Sequence, residues 1–169
     1  MIEYMKRGPF DELHTPAEAT DFLVPYLLEL DTEDSFRPIL WESASPKRGK
    51  SKLATRLEYH GFKTLEIKRN TGYDFFESSI ISYDVQVTNP PYSMKLKWLE
   101  RTAKLGKPAA LLLPVTVIGV GQAHDFVTNC RVILLPKRID FTGKGAPWFS
   151  VAWFLWEWPK GRPRLEKGY

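Results

Sequence analysis

Cysteine is almost absent: Cys130 is the only one among 169 residues, so no disulfide can close within the chain. Such usage suits a reducing compartment. Histidine is nearly as scarce. His14, His60 and His124 stand apart without metal-ligand spacing, and no metal centre is expected. No apolar run reaches the roughly 20 residues that a membrane span needs. Met1-Ile2-Glu3-Tyr4 also lacks the apolar stretch of a secretory signal. An intracellular, cytoplasmic chain without a membrane partner is therefore expected. Repeats, low-complexity tracts and linkers are missing too, which predicts one domain over 1–169, with its core at about 14–158 and a basic, mobile tail at 159–169. Neither sign of charge dominates: 24 Lys and Arg stand against 20 Asp and Glu, a mildly basic balance that fits a polyanionic partner without requiring one.

What is present centres on Asp84-Val85-Gln86-Val87-Thr88-Asn89-Pro90-Pro91-Tyr92. Val85 and Val87 alternate with polar neighbours, the pattern of a strand arriving at a sheet edge. Pro90 and Pro91 then stop it. Their fixed φ and missing N–H groups make a stiff corner whose carbonyls are left free. An amide, Asn89, and an aromatic ring, Tyr92, flank that corner. A planar base with an exocyclic amine fits there: its two N–H groups would go to the Asn89 oxygen and a backbone carbonyl, and its face to Tyr92.

The rest of the chain reads as alternating helices and strands. Thr15-Pro16-Ala17-Glu18 has the pattern of a helix start, with Thr15 as cap, and Pro25 should kink or split the helix that follows. Phe36–Trp41 reads as a first strand, and Glu42 to Lys50 as a loop before a helix starting near Ser51. Phe62–Ile67 reads as a second strand carrying Glu66. An acid at that place can accept both hydroxyls of a ribose. A helix over 93–105 should stop at Gly106. Pro108–Pro114 and Arg131–Leu135 are apolar runs, as in strands buried on both faces. Residues 116–121 turn the chain, 122–129 form a short helix, and Ser150–Trp158 forms a final strand. Trp153 and Trp156 are expected to pack in the core. The loop at 137–149 mixes glycine, basic and aromatic residues, a composition suited to single strands and extruded bases.

Asn89-Pro90-Pro91-Tyr92, the order Glu66, Gly72, Asp74-Phe75 before it, and Arg138-Ile139-Asp140-Phe141 after it together resemble the S-adenosylmethionine-dependent amino-group methyltransferases. The resemblance is greatest to the N6-adenine DNA methyltransferases, particularly the compact phage-type ones, and it spans about residues 14–158. It implies a Rossmann-like class I α/β sandwich, mostly parallel, with an antiparallel last strand. It implies S-adenosylmethionine as cofactor, with Thr15, Pro16, Glu42, Ser43, Gly49, Glu66, Asp74 and Phe75 around it. Glu42 would meet the ammonium group, Asp74 the adenine amine, and Phe75 the adenine ring. Asn89, Pro90, Pro91 and Tyr92 would be the catalytic corner. Lys47, Arg48, Lys95, Arg138, Trp148 and Phe149 would meet the nucleic acid.

The loop after Glu42 departs from the family's pattern. Where two or more glycines are usual it keeps only Gly49, and Lys47, Arg48, Lys50 and Lys52 crowd it with positive charge. Those bases either lie in solvent or face a phosphate backbone. The expected activity is methyl transfer to N6 of adenine in DNA, with short or loose sequence choice because the chain has no room for a large recognition domain. Two alternatives stay open: the same frame acting on an RNA base amine or a protein glutamine, and a non-catalytic nucleic-acid-binding subunit, which the glycine-poor loop suggests.

Overall fold

A computed structural model describes residues 14–31, 36–46, 49–66, 75–76, 82–145, 149–159, 161 and 164–167. The elements in chain order are α1 (Ala17–Asp21), α2 (Val24–Leu28), β1 (Ile39–Glu42), α3 (Lys52–Tyr59), β2 (Lys63–Glu66), β3 (Val85–Thr88), α4 (Lys95–Leu105), β4 (Ala109–Pro114), α5 (His124–Thr128), β5 (Cys130–Leu134), β6 (Val151–Trp156) and β7 (Arg164–Lys167). The strands form one seven-stranded sheet in the order β2-β1-β3-β4-β6-β5-β7. Among the described residues only β6 runs against its neighbours, β4 and β5, and the other pairings are parallel. The expected mostly parallel α/β sandwich is the fold observed; the strand expected to be last and antiparallel is β6, and β7 follows it in parallel with β5.

Alternation along β4 shows why both sheet faces are covered. Ala110 and Leu112 enter one core with Leu23 and Leu27 of the N-terminal helices and Leu53 and Leu57 of α3. Ala109, Leu111 and Leu113 enter a second core with Leu99 of α4 and Phe126 of α5. Successive side chains on a strand point to opposite faces, so an uninterrupted apolar run must be sandwiched. Each fully buried leucine contributes about 1.5–3 kcal/mol relative to exposure. Trp153, wholly buried as expected, donates its indole N–H to the Ala19 carbonyl at 2.7 Å and so fastens α1 to β6. Asp21 fastens α1 to α3 as well, accepting from Arg56 Nε at 2.7 Å and Nη2 at 2.8 Å, with His60 Nε2 at 2.8 Å.

Three boundaries differ from the sequence reading. Thr15 does not cap α1. Pro16, extended at ψ 151°, occupies that place and makes no side-chain cap bond, while Thr15 lies buried before it. The Pro16 carbonyl takes the first N–H groups of the helix, so the start moves one residue on. Strand β1 begins at Ile39 because Pro38 has no N–H for the ladder, and Phe36 stays exposed. The tail, expected to be mobile, supplies β7, which pairs Arg164–Lys167 with Arg131–Leu134 and covers the edge of β5. Elsewhere the local signals hold. Pro25 divides the first helical stretch into α1 and α2 by sitting in the first turn of the second. Gly106 ends α4 in the left-handed conformation at φ 64°.

Candidate active site

The parallel strands β2, β1, β3 and β4 all finish on one edge of the sheet. From β1 the chain crosses to β2 on one side and later enters β3 on the other. That reversal of direction opens a crevice beyond the strand ends, the usual place for a ligand in an open α/β sheet. The loop after β1 lines one side of it and Asn89–Tyr92 the other.

Two carboxyl groups stand side by side at this edge, because Glu42 and Glu66 are register partners at the ends of β1 and β2. Glu42 is 3% exposed. Its Oε1 accepts from the Thr88 hydroxyl at 2.6 Å and from the Ala44 N–H at 3.0 Å, and its Oε2 accepts from the Ser51 hydroxyl at 3.1 Å. Burial outweighs these three donors and, with the neighbouring Glu66 charge, pushes the Glu42 carboxyl from its usual 4.5 up to about 7. Glu66 is half-buried. Its Oε1 accepts from the Ser51 N–H at 2.7 Å and the Ser45 hydroxyl at 3.1 Å. Among the described residues its Oε2 takes no bond, which leaves one carboxylate oxygen open beside the crevice.

Ser51 joins the two acids because it caps α3: its Oγ accepts from Ala54 N–H at 3.4 Å while its own N–H points at Glu66. A second polar chain ties the same loop to the far side of the sheet. Thr102 of α4 donates to Gln86 Oε1 at 3.1 Å, and Gln86 Nε2 donates to Ser43 Oγ at 2.8 Å. All three side chains are buried. Ser45, Ser51, Gln86, Thr88 and Thr102 were not singled out from sequence. The sequence offered no signal for them: Gln86 and Thr88 read as the solvent-facing half of an alternating strand, and only the fold buries them.

At the corner after β3, Pro90 and Pro91 are both buried. The Pro91 carbonyl accepts from Met94 N–H at 3.0 Å, starting the turn into α4. Of the carbonyls expected to be left free, that of Pro90 takes no hydrogen bond among the described residues, whereas that of Pro91 is engaged by Met94. The Asn89 side-chain oxygen is shielded from solvent. Tyr92 meets Phe149 edge-on, ring centres 5.5 Å apart at 77°, and Phe149 stacks near Phe141 at 6.1 Å. The Tyr92 hydroxyl is buried without a partner among the described residues, and burial holds its pKa above the ordinary tyrosine value. Phe141, which the sequence reading did not assign to the site, completes this aromatic row.

The structure thus brings Glu42, Ser43, Glu66, Asn89, Pro90, Pro91, Tyr92 and Phe149 to one edge. Lys95 opens α4 directly behind Tyr92, its Nζ 3.5 Å from the Tyr92 carbonyl. Thr15 is buried and Pro16 half-buried ahead of α1, while Gly49 is exposed at φ 74°. Phe75 is 5% exposed and stacks on Trp98 at 3.9 Å and 11°, within a cluster that also holds Trp41 and Tyr83. Arg138 is exposed on the loop that Asp140 organises: the Asp140 carboxylate accepts from the N–H groups of Thr142, Gly143 and Gly145 and from the Thr142 hydroxyl. Lys47, Arg48, Asp74 and Trp148 lie outside the described residues. No His, Cys, Asp and Glu grouping among the described residues could hold a metal ion, and no described helix is long and apolar enough to cross a membrane.

No protein family model matches the chain, and no curated protein matches its sequence. Solved structures do match its shape. One is the methyltransferase subunit of a type I restriction-modification system from Streptococcus thermophilus, with a TM-score of 0.57 and 13% identity, over 91% of this chain and 46% of that one. The chain therefore spans under half of that subunit. Others are a dimethyladenosine transferase from Plasmodium falciparum (TM-score 0.48, 14% identity, 85% of this chain and 62% of that one) and a predicted O-methyltransferase from Agrobacterium tumefaciens (0.44, 11%, 86% and 83%). Judged by the first of these, together with the strand order and the single reversed strand, the fold is similar to that of the Rossmann-like methyltransferases.

Proposed function

We propose that this chain transfers a methyl group from S-adenosylmethionine to the exocyclic N6 amine of adenine in DNA. The observation that carries the proposal is the place of Asn89-Pro90-Pro91-Tyr92: directly after β3, at the reversal point of a methyltransferase-like sheet. The similar restriction-modification subunit supports methyl transfer, and its name supports a DNA substrate. The residues fit the cofactor: the open Oε2 of Glu66 suits a ribose diol, and the loop from Glu42 to Ser51 borders the same crevice.

S-adenosylmethionine supplies an electrophilic methyl group. The protein's part is orientation and electrostatics. Asn89 Oδ1 and the Pro90 carbonyl accept the two amine hydrogens, which turns the nitrogen lone pair out of conjugation with the ring and toward the cofactor side of the crevice. Tyr92 offers a stacking face, so the adenine must leave its helix to reach it. Phe149 steadies Tyr92 from the side. Lys95, behind the corner, and Arg138, exposed on the loop after β5, would meet the phosphates.

A second reading, a non-catalytic nucleic-acid-binding subunit, has one observation in its favour: Glu42 is closed off by three internal donors in a loop with few glycines. One experiment separates the two. Labelled methyl is offered to DNA, RNA and protein in parallel, with Asn89→Ala as control and cofactor binding followed by calorimetry. Label on DNA adenine that vanishes in Asn89→Ala is the expected result. Label on RNA or on protein glutamine would keep the frame and replace the acceptor. An intact chain that labels nothing and binds no cofactor would refute the enzyme.

A further inference from the structure

Resting on the methyl-transfer reading above, we infer that Thr88 is a positioning residue that locks the cofactor-side loop to the strand carrying Asn89. Its side chain is wholly buried. A hydroxyl has one proton and two lone pairs. In this chain the proton goes to Glu42 Oε1 at 2.6 Å, and one lone pair accepts the Ala44 N–H at 3.0 Å. The same Ala44 N–H lies 3.0 Å from Glu42 Oε1, so hydroxyl, amide and carboxyl close a ring.

That ring begins a longer path. Glu42 Oε2 holds the Ser51 hydroxyl, and the Ser51 N–H holds Glu66 Oε1. Thr88 is thus linked through Glu42 and Ser51 to the acid whose other oxygen is open to a ribose. The next residue in the chain is Asn89. Thr88, beside the Gln86–Ser43 bond two residues earlier on the same strand, therefore sets the distance between the catalytic amide and the cofactor loop. A methyl transfer needs its two reactants held to within a fraction of an ångström, which gives such a link a role beyond stability.

The link survives both charge states of Glu42. When the carboxyl is neutral, its proton belongs on Oε2 and donates to Ser51, leaving Oε1 to accept from Thr88 and Ala44. When it is ionised, Thr88 becomes a charge-assisted donor. Of the groups around Glu42, Glu66 of β2 is the titratable one that acts on it; α3 and β3 present Ser51 and Thr88, which do not titrate. Lys50, on the loop, is paired with Glu58.

Thr88→Val keeps the shape and removes the hydroxyl, and Thr88→Ser keeps the hydroxyl. Both are compared with wild type by calorimetric titration of S-adenosylmethionine at pH 5.5 to 9. In parallel, the Glu42 carboxyl carbon is titrated by NMR in the cofactor-free chain. Losing a hydrogen bond to a charged group should weaken cofactor binding about 10-fold or more in Thr88→Val. The Glu42 midpoint should move upward, because the ionised form has lost its closest donor, and Thr88→Ser should restore both. A merely structural role would lower stability and shift that midpoint while cofactor affinity stayed at the wild-type value. Thr88→Val with wild-type affinity therefore overturns the inference alone, whatever the midpoint does. A wild-type chain that binds no S-adenosylmethionine overturns the methyl-transfer reading and this inference with it.

Discussion

Replacing Glu42 by glutamine should make the chain more stable at neutral and alkaline pH, and the size of the gain tests the electrostatics of the loop. The carboxyl sits at about 7 when folded and near 4.5 when exposed. A carboxyl whose folded pKa is raised binds its proton more tightly in the folded state, so stability falls as pH climbs between the two values. The contribution is fully present below pH 4.5 and is lost by about pH 7. At about 1.36 kcal/mol per unit, the loss between pH 5 and pH 8 is about 2–3 kcal/mol. Glutamine keeps an oxygen for Thr88 and Ala44 and can donate its amide to Ser51, whose hydroxyl is free to turn. Urea denaturation of both proteins at several pH values should therefore give curves that meet near pH 5 and diverge above it, Glu42→Gln being the more stable by about 2–3 kcal/mol at pH 8. For a chain of this size that is roughly 5–10 °C in melting temperature. Parallel curves across the range would refute a buried, uncompensated carboxyl at this position.

Three further outcomes follow from local hydrogen bonds. Trp153→Phe removes the indole N–H that Ala19 accepts at 2.7 Å and leaves a buried carbonyl without that donor; denaturant titration should show a loss of about 1–3 kcal/mol, above the small effect of ring volume. Asp140→Ala should raise amide hydrogen exchange at Thr142, Gly143 and Gly145 while melting temperature stays close to wild type, since the contacts are local and exposed. The same amides report pH: those donors hold the Asp140 carboxyl below its usual value, so the loop should stay ordered down to about pH 4 and loosen only as pH falls through the lowered pKa.

The elements and the proline corner after β3 were legible in the sequence because their signals are local. Two prolines stop β3, Gly106 stops α4, and an uninterrupted apolar run marks β4. The network behind the corner was not legible, for a topological reason. Thr88 and Glu42 are 46 residues apart, and Gln86 and Ser43 are 43 apart. Only the parallel crossover from β1 to β3 places them within hydrogen-bond reach. Read along the chain, Gln86 and Thr88 are the polar half of an alternating strand and point to solvent by that rule. Helices on both faces reverse the inference, and burial then forces each to find a partner. Strand β7 escaped for a different reason. Arg-Leu-Glu-Lys has no apolar alternation, and its pairing answers the open edge of β5 rather than any preference of its own.

The energetic position of Glu42 bears on the choice between an enzyme and a binding subunit. A loop needing only hydrogen bonds would be served by glutamine, which offers Thr88 and Ala44 the same oxygen without the charge. The carboxyl is instead held well above its usual pKa, in a place where ionisation is opposed by burial and by Glu66. Strained electrostatics of this kind gather where a charge is used. The charge here lies one hydrogen bond from the residue before Asn89 and one serine from the acid with an open oxygen. If Glu42→Gln is stabilised as calculated yet binds S-adenosylmethionine as well as wild type, the carboxylate has no role at the cofactor side, and the non-catalytic reading gains. If stability rises while cofactor affinity falls, the same substitution will have separated what the fold tolerates from what the site requires.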